Sequence, residues 1–248
     1  GLLLCAVFGI WPALPVLWLC LWEIFWTLAC RLILPKIPVR PLPRMELNAL
    51  PADEKRTAVV ISTLLPSSGQ ASQWEEKLEE LYFANRMEEL DFLVLADPKE
   101  ANAPEFPQDN LGAQALAEVI RRLNEKYGQR FHVLVRRRRF LKTQGRFGGW
   151  ERKRGALMEL CAFLNGEDLD ALLFEGDAGR LRECRYLLAL DADTNLLFDC
   201  ASKLIATAAH PLNEPKWDAG GLVYEGYGIL TPRIQTQPGS AVSRRYDF

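Results

Sequence analysis

Hydrophobic and polar positions divide the chain into an apolar opening and an alternating body. From Gly1 to Leu34 the only charged side chains are Glu23 and Arg31. Val16 to Leu34 approaches the roughly 20 residues that cross a bilayer as a helix. Pro12 and Pro15 interrupt the stretch, so a shortened first span, a tight turn and a second span are expected across residues 1–35. Trp18, Trp22 and Trp26 suit anchoring at the membrane interface. Arg31, Lys36, Arg40 and Arg44 follow with few acids among them, which by the positive-inside rule puts the remainder in the cytosol. Glu23 is costly in mid-span, so an interfacial or protein-packed helix is the competing arrangement. There is no basic leader and no small-residue site to mark a cleaved signal peptide. Gly1 opens inside the apolar run, which points to a longer natural N-terminus. Pro35, Pro38, Pro41 and Pro43 then give residues 36–55 the character of a stiff linker.

Beyond Pro51 strand-like and helix-like patterns alternate. Thr57–Ser62, Phe92–Ala96, Phe131–Val135 and Tyr186–Leu190 are short apolar runs rich in β-formers. Gly221–Tyr224 with Ile229–Leu230 supplies a fifth strand region. Trp74, Leu78, Leu81 and Tyr82 share one helical face. Leu111, Ala115, Leu116, Val119, Ile120 and Leu123 share another, with Gly128 as its stop. Arg154–Leu164 and Phe198–Ala209 are two further helices, the last closed by His210-Pro211. Asn165–Glu183, rich in Gly and Asp, reads as an irregular insertion or hairpin. Strands alternating with helices predict an α/β fold whose sheet is mostly parallel and flanked by helices. That domain occupies residues 56–248.

Composition changes this picture little. The 248 residues are 49% hydrophobic and 25% charged, with a net charge of −2. A large core is affordable, and a dedicated nucleic-acid binder, which carries a basic footprint, is disfavoured. The six cysteines (Cys5, Cys20, Cys30, Cys161, Cys184, Cys200) lack the paired short spacing of zinc sites. They are expected to be reduced, buried thiols of a cytosolic domain. His132 alternates within a strand as a structural residue, and His210 sits at a helix end, where a cationic ring is favourable.

Chemistry concentrates where the strands end. Tyr186-Leu187-Leu188-Ala189-Leu190 runs into Asp191-Ala192-Asp193-Thr194. Ligands of open α/β sheets gather at the carboxyl ends of their strands, and carboxylate oxygens suit hard divalent cations that bridge to phosphates. Asp191 and Asp193 are therefore candidates for a metal-diphosphate site, the alternative being an Asp-rich turn. Asp97 closes the second strand, placed to hold a base or ribose, or else to form an Asx turn before Pro98. Thr63 follows the first strand. Gly148-Gly149-Trp150-Glu151-Arg152-Lys153-Arg154-Gly155 leads into a helix whose first backbone amides favour anions, so Lys153 and Arg154 are candidates to offset diphosphate charge. Most of Arg136–Arg139 reads as a solvated edge strand with charged gatekeepers.

Taken together, five segments resemble the glycosyltransferase domain of the cyclic β-1,2-glucan synthases. They are Arg56-Thr57-Ala58-Val59-Val60-Ile61, Gly149-Trp150-Glu151-Arg152-Lys153-Arg154-Gly155-Ala156-Leu157, Leu190-Asp191-Ala192-Asp193-Thr194, His210-Pro211-Leu212-Asn213 and Gly226-Tyr227-Gly228-Ile229-Leu230-Thr231-Pro232-Arg233. The order is the family's, from about Pro35 onward. Thr231 departs from it, standing where glutamine is expected. The resemblance implies a GT-A-type (Rossmann-like) domain in the cytosol, anchored in the bacterial inner membrane through residues 1–35. It implies UDP-glucose as donor, Mg²⁺ or Mn²⁺ as cofactor, a growing β-1,2-glucan as partner and no nucleic acid. Asp193 would hold the metal, and Asp191 would bind the metal through water or hold the ribose. Thr63 and Asp97 would line the nucleotide, with Lys153 or Arg154 at the diphosphate. Inversion at the glucose needs a general base, expected beyond Phe248, so the domain is read as truncated at its C-terminal side. A membrane-anchored scaffold that keeps the transferase fold without catalysis is the alternative.

Overall fold

A computed structural model describes residues 14–37 and 41–232. The opening of the apolar stretch with Cys5 and Pro12, the linker residues Pro38 and Arg40, and the tail from Arg233 onward lie outside the described residues. Contacts divide the chain into two units, with the boundary between Leu42 and Pro43.

In the first unit, helix α1 spans Leu14–Ile33, and the apolar stretch Pro15–Lys36 is 22 residues long. It is long and apolar enough to cross a membrane. Its tryptophans are exposed, with Trp22 and Trp26 stacked at 6.3 Å between ring centroids. Glu23 lies within this helix.

In the second unit, Ala52–Lys55 (α2) leads into β1 (Thr57–Leu64). Then come α3 (Ser72–Ala84), β2 (Leu90–Asp97), α4 (Pro107–Tyr127) and β3 (Phe131–Arg136). A small hairpin of β4 (Arg139–Leu141) and β5 (Arg146–Gly148) precedes α5 (Arg152–Leu164). The chain continues through β6 (Ala171–Glu175), α6 (Ala178–Arg182), β7 (Tyr186–Asp191) and α7 (Cys200–Ala208), and ends in β8 (Lys216–Trp217) and β9 (Val223–Glu225). Five strands form the main sheet in the order β6-β3-β2-β1-β7. The pairs β3-β2, β2-β1 and β1-β7 are parallel, and β6 is antiparallel at one edge. This is the mostly parallel, helix-flanked sheet that the alternating pattern predicts.

Successive strand residues point to opposite faces, and the two cores follow that alternation. Val59, Ile61, Phe92, Val94, Phe131 and Val133 pack beneath α3, α4 and α7, against Leu78, Leu116, Ile120 and Ile205. Ala58, Val60, Leu93, Leu95 and Leu134 pack on the other side against Ala156, Leu160 and Leu181 of α5 and α6. Burial on both faces explains why these strands read as continuous apolar runs. Leu111 is the exception to the predicted helical faces. It is the fifth residue of α4, just ahead of the buried stripe, and stays exposed.

Two expectations need correction. Asn165–Glu183 is not irregular: Ala171-Leu172-Leu173-Phe174-Glu175 pairs with β3, and α6 follows with Leu181 fully buried. Its glycines and aspartates serve the turns, where Asp177 caps α6 through Arg180 N at 3.0 Å. The fifth strand region does not join the main sheet. β9 pairs only with β8, because Asp218 Oδ1 accepts from Gly220 N and Leu222 N and folds the segment back locally. Ile229 is left exposed.

The thiols are free among the described residues, but they are not uniformly buried. Cys161 lies exposed on α5, while Cys184 and Cys200 are half-buried. His132 is structural as expected, fully buried in β3.

Candidate functional site

The sheet order reverses at β1, where the chain has progressed outward through β2 and β3 and then returns to β1's other side as β7. Such a reversal leaves a crevice at the carboxyl ends of the strands. The register places Ser62 beside Asp191 and Leu64 beside Asp97, so the candidate acids of β7 and β2 flank the end of β1.

Asp191 is the last residue of β7, and its side chain is 58% exposed. Lys153, in the first turn of α5, places its ammonium on Asp191 Oδ1. The lysine is thus supplied by the first turn of a 13-residue helix, whose positive end favours anions. Asp193 lies in the turn that follows, where Thr194 N donates to Asp191 O at 2.9 Å. It lines a shallow, polar concavity of about 440 Å³ with Gln73, Glu76, Lys77, Glu80 and Asn195. Lys77 of α3 donates to Ala192 O, between the two acids. Partial burial pulls the Lys77 ammonium below its ordinary range, while the charges of Asp193 and Glu80 work in the opposite direction.

Asp97 has a different setting. Both its oxygens accept from Arg136 Nη1, at 2.9 and 3.1 Å. Burial raises Asp97 above the usual carboxylate range, and the Arg136 guanidinium offsets part of that rise. A methyl on Gly149 would meet Asp97 Oδ1 at 2.8 Å, so only glycine lets this turn close over the carboxylate.

The basic run is where the sequence reading fails. Arg136 is 2% exposed, and Arg138 is buried too. Arg136 Nε donates to Glu159 at 2.7 Å, Nη2 to Trp150 O at 3.0 Å and Nη1 to Arg152 O at 3.2 Å. Arg138 grips the Asp109 carboxylate and donates to Lys99 O at 2.6 Å. These are buried, fork-shaped contacts of the kind guanidinium makes well. The register carried the missing signal: Ala96 lies opposite Val135, so Asp97 and Arg136 end neighbouring strands side by side.

Of the other candidates, Thr63 sits at the end of β1 with its hydroxyl donating to Leu64 O at 3.1 Å. Arg154 is exposed and pairs with Glu151 at 2.8 Å. The structure thus pairs Lys153 with Asp191 and sets Asp193 in the concavity with Lys77, a residue sequence reasoning missed; the two lysines come from helices on opposite faces of the sheet. It ties Asp97 into the buried Arg136 network beside them and turns Arg154 toward Glu151.

The donor chemistry of the edge fits a hard divalent ion. Asp191 and Asp193 offer exposed carboxylate oxygens two residues apart, and Mg²⁺ commonly takes one or two carboxylates plus phosphate and water oxygens. Among the described residues no group of three or more His, Cys, Asp or Glu side chains is gathered for a metal, so the remaining ligands would come from substrate and solvent.

His210-Pro211-Leu212-Asn213 has a structural role. Asn213 is buried and donates to Pro43 O at 2.9 Å and Thr207 O at 2.7 Å. Its carbonyl accepts from Tyr227 N at 2.9 Å. The segment holds the chain entering the domain against the end of α7, where Met45 N also donates to Ala206 O at 3.0 Å.

No protein-family model matches the chain. It is similar to cyclic beta-(1,2)-glucan synthase NdvB of Rhizobium meliloti (strain 1021), with 33% identity over 193 residues. That stretch is 76% of this chain and 7% of the relative, so the chain spans a small part of the protein it matches. The resemblance to the cyclic β-1,2-glucan synthases is thereby shown.

Proposed function

We propose that this chain carries the donor-binding half of a glycosyltransferase domain that takes UDP-glucose and builds β-1,2-linked glucan. The observation that carries the reading is the placement of Asp191 and Asp193 at the strand-order reversal, both exposed, with Lys153 delivered to Asp191 by the first turn of α5. The likeness to a named glucan synthase supports the reaction class, and the GT-A assignment extends the parallel, helix-flanked sheet.

In this reading the nucleotide lies along the carboxyl ends of β1 and β2, near Thr63 and Asp97. The diphosphate faces Lys153 and the amides opening α5, with Arg154 close by in sequence. Asp193, helped by Asp191, holds Mg²⁺ or Mn²⁺. When bound, that ion supplies Lewis-acid stabilisation of the departing diphosphate. Lys153 adds positive charge at the same oxygens, in a place where it already neutralises Asp191. The acceptor's 2-hydroxyl attacks in line and inverts the anomeric centre. A general base takes its proton. Residues 1–35 anchor the domain in the inner membrane, with Arg31, Lys36, Arg40 and Arg44 on the cytosolic side.

Calorimetry of UDP with and without Mn²⁺ tests the assignment. Asp193→Asn is expected to abolish the metal-dependent part of UDP binding. In a longer, active form it should lower turnover by about 10²–10³, as loss of one electrostatic stabiliser does. Metal-dependent binding left unchanged by the substitution contradicts the assignment.

A further inference from the structure

Arg136 sits at the end of β3, buried between two carboxylates and two carbonyls. Its contacts divide into two groups. One holds acids, Asp97 of β2 and Glu159 of α5. The other holds the backbone of the turn before α5, through Trp150 O and Arg152 O. That turn is strained: Glu151 and Arg152 both adopt left-handed backbone, with φ of 49° and 46°. Such non-glycine residues persist only where their surroundings fix them. Gly155 completes the fixation, since any side chain there would run into the Trp150 carbonyl that Arg136 holds. The residue after the strained pair is Lys153, whose ammonium rests on Asp191.

We propose that Arg136 is a positioning residue for the donor site: by clamping the Trp150 and Arg152 carbonyls it holds the left-handed turn that delivers Lys153 to Asp191, and by the same guanidinium it orients Asp97. The inference rests on the donor-site reading above. No shorter or simpler cation reproduces the clamp. Lysine has three donors on one nitrogen and cannot span both carboxylates and both carbonyls at once. Nearby basic residues do not take over the two carbonyls: Arg152 pairs with Glu100, and Arg139 shares only the Glu159 carboxylate with Arg136.

Arg136→Lys and Gly155→Ala, made in the full chain, test this from opposite sides of the turn. The first keeps the buried charge, and the second leaves Arg136 intact while displacing the Trp150 carbonyl. Three readouts are taken: hydrogen exchange of amides 150–155 against those of β1 and β2, acylation rate of Lys153 by a water-soluble active ester, and the Kd for UDP with Mn²⁺. In both variants, exchange at 150–155 and Lys153 acylation are expected to rise on the order of tenfold while the strands stay protected. The UDP Kd should rise by about tenfold too. Should Arg136→Lys fail to fold, Gly155→Ala alone decides. Unchanged Lys153 acylation, or protection lost evenly across the sheet, overturns the positioning role. A wild-type chain that binds no UDP overturns the donor reading instead, and the exchange and acylation results then still decide whether Arg136 sets the turn.

Discussion

The two ends of the parallel sheet carry nearly the same residue types and put them to opposite uses. At the amino end, Asp91, His132 and Arg180 form a closed cluster. Asp91 and His132 are fully buried, with His132 Nε2 and Asp91 Oδ1 at 3.0 Å and Arg180 Nε donating to the same oxygen at 2.6 Å. Asp177 N donates to His132 Nδ1 at 3.1 Å, so that nitrogen is an acceptor and Nε2 carries the proton. Of the buried side-chain polar atoms there, Asp91 Oδ2 alone lacks a protein partner, and the cluster pins α6 to the sheet. At the carboxyl end, the Lys153–Asp191 pair is exposed to solvent, and Asp193 and Lys77 line a polar concavity. Only the layer beneath them, Arg136 with Asp97 and Glu159, is sealed. Charged groups that satisfy one another in the interior specify structure, whereas those left facing a crevice are available to a ligand.

Substitutions at the two ends should separate these roles. Asp91→Ala leaves Arg180 and His132 without their shared acceptor and is expected to cost about 3–5 kcal/mol, as breaking a buried pair does. Denaturant unfolding measures the loss, and UDP affinity of the protein that remains folded should not change. Weaker UDP binding there would blur the division between the ends. Asn213→Ala tests a third place, the tie between Pro43 and α7. Loss of its two donated bonds should lower stability by about 1–3 kcal/mol, seen as a lower unfolding midpoint with metal-dependent UDP binding retained.

At neutral pH the smallest effect concerns Cys184, next to the closed end. Burial, reinforced by the charge of Asp91, pushes its thiol up to about 12. The folded chain therefore keeps a proton that the unfolded chain releases near pH 8.5. The associated stability is complete below that pH and is lost as pH rises toward 12. Cys184→Ala should flatten this alkaline decline, and a native thiol-labelling series at pH 8 should modify exposed Cys161 well before Cys184. Equal labelling of the two would mean that the closed end opens readily.

The fold was legible because strand burial on both faces writes itself as apolar runs, and Asp191 was legible because it ends such a run. What stayed hidden depends on neighbours far apart in sequence. Arg136 resembled a solvated gatekeeper until the pairing of β2 with β3 set it beside Asp97. Lys77 belongs to α3 yet reaches Ala192, a contact 115 residues away that no local pattern encodes. β6 was masked by the Gly and Asp residues of its own turns. The hairpin of β8 and β9 shows the reverse error, since apolar residues alternate there without a sheet to join.

Paramagnetic Mn²⁺ titrated with UDP, followed by amide NMR, tests the central claim most directly. The account predicts broadening centred on Asp191–Thr194 and the start of α5, dependent on UDP and lost in Asp193→Asn, with amides around Asp91 and His132 untouched. Broadening spread over the surface, or centred away from the carboxyl end of β7, would contradict it.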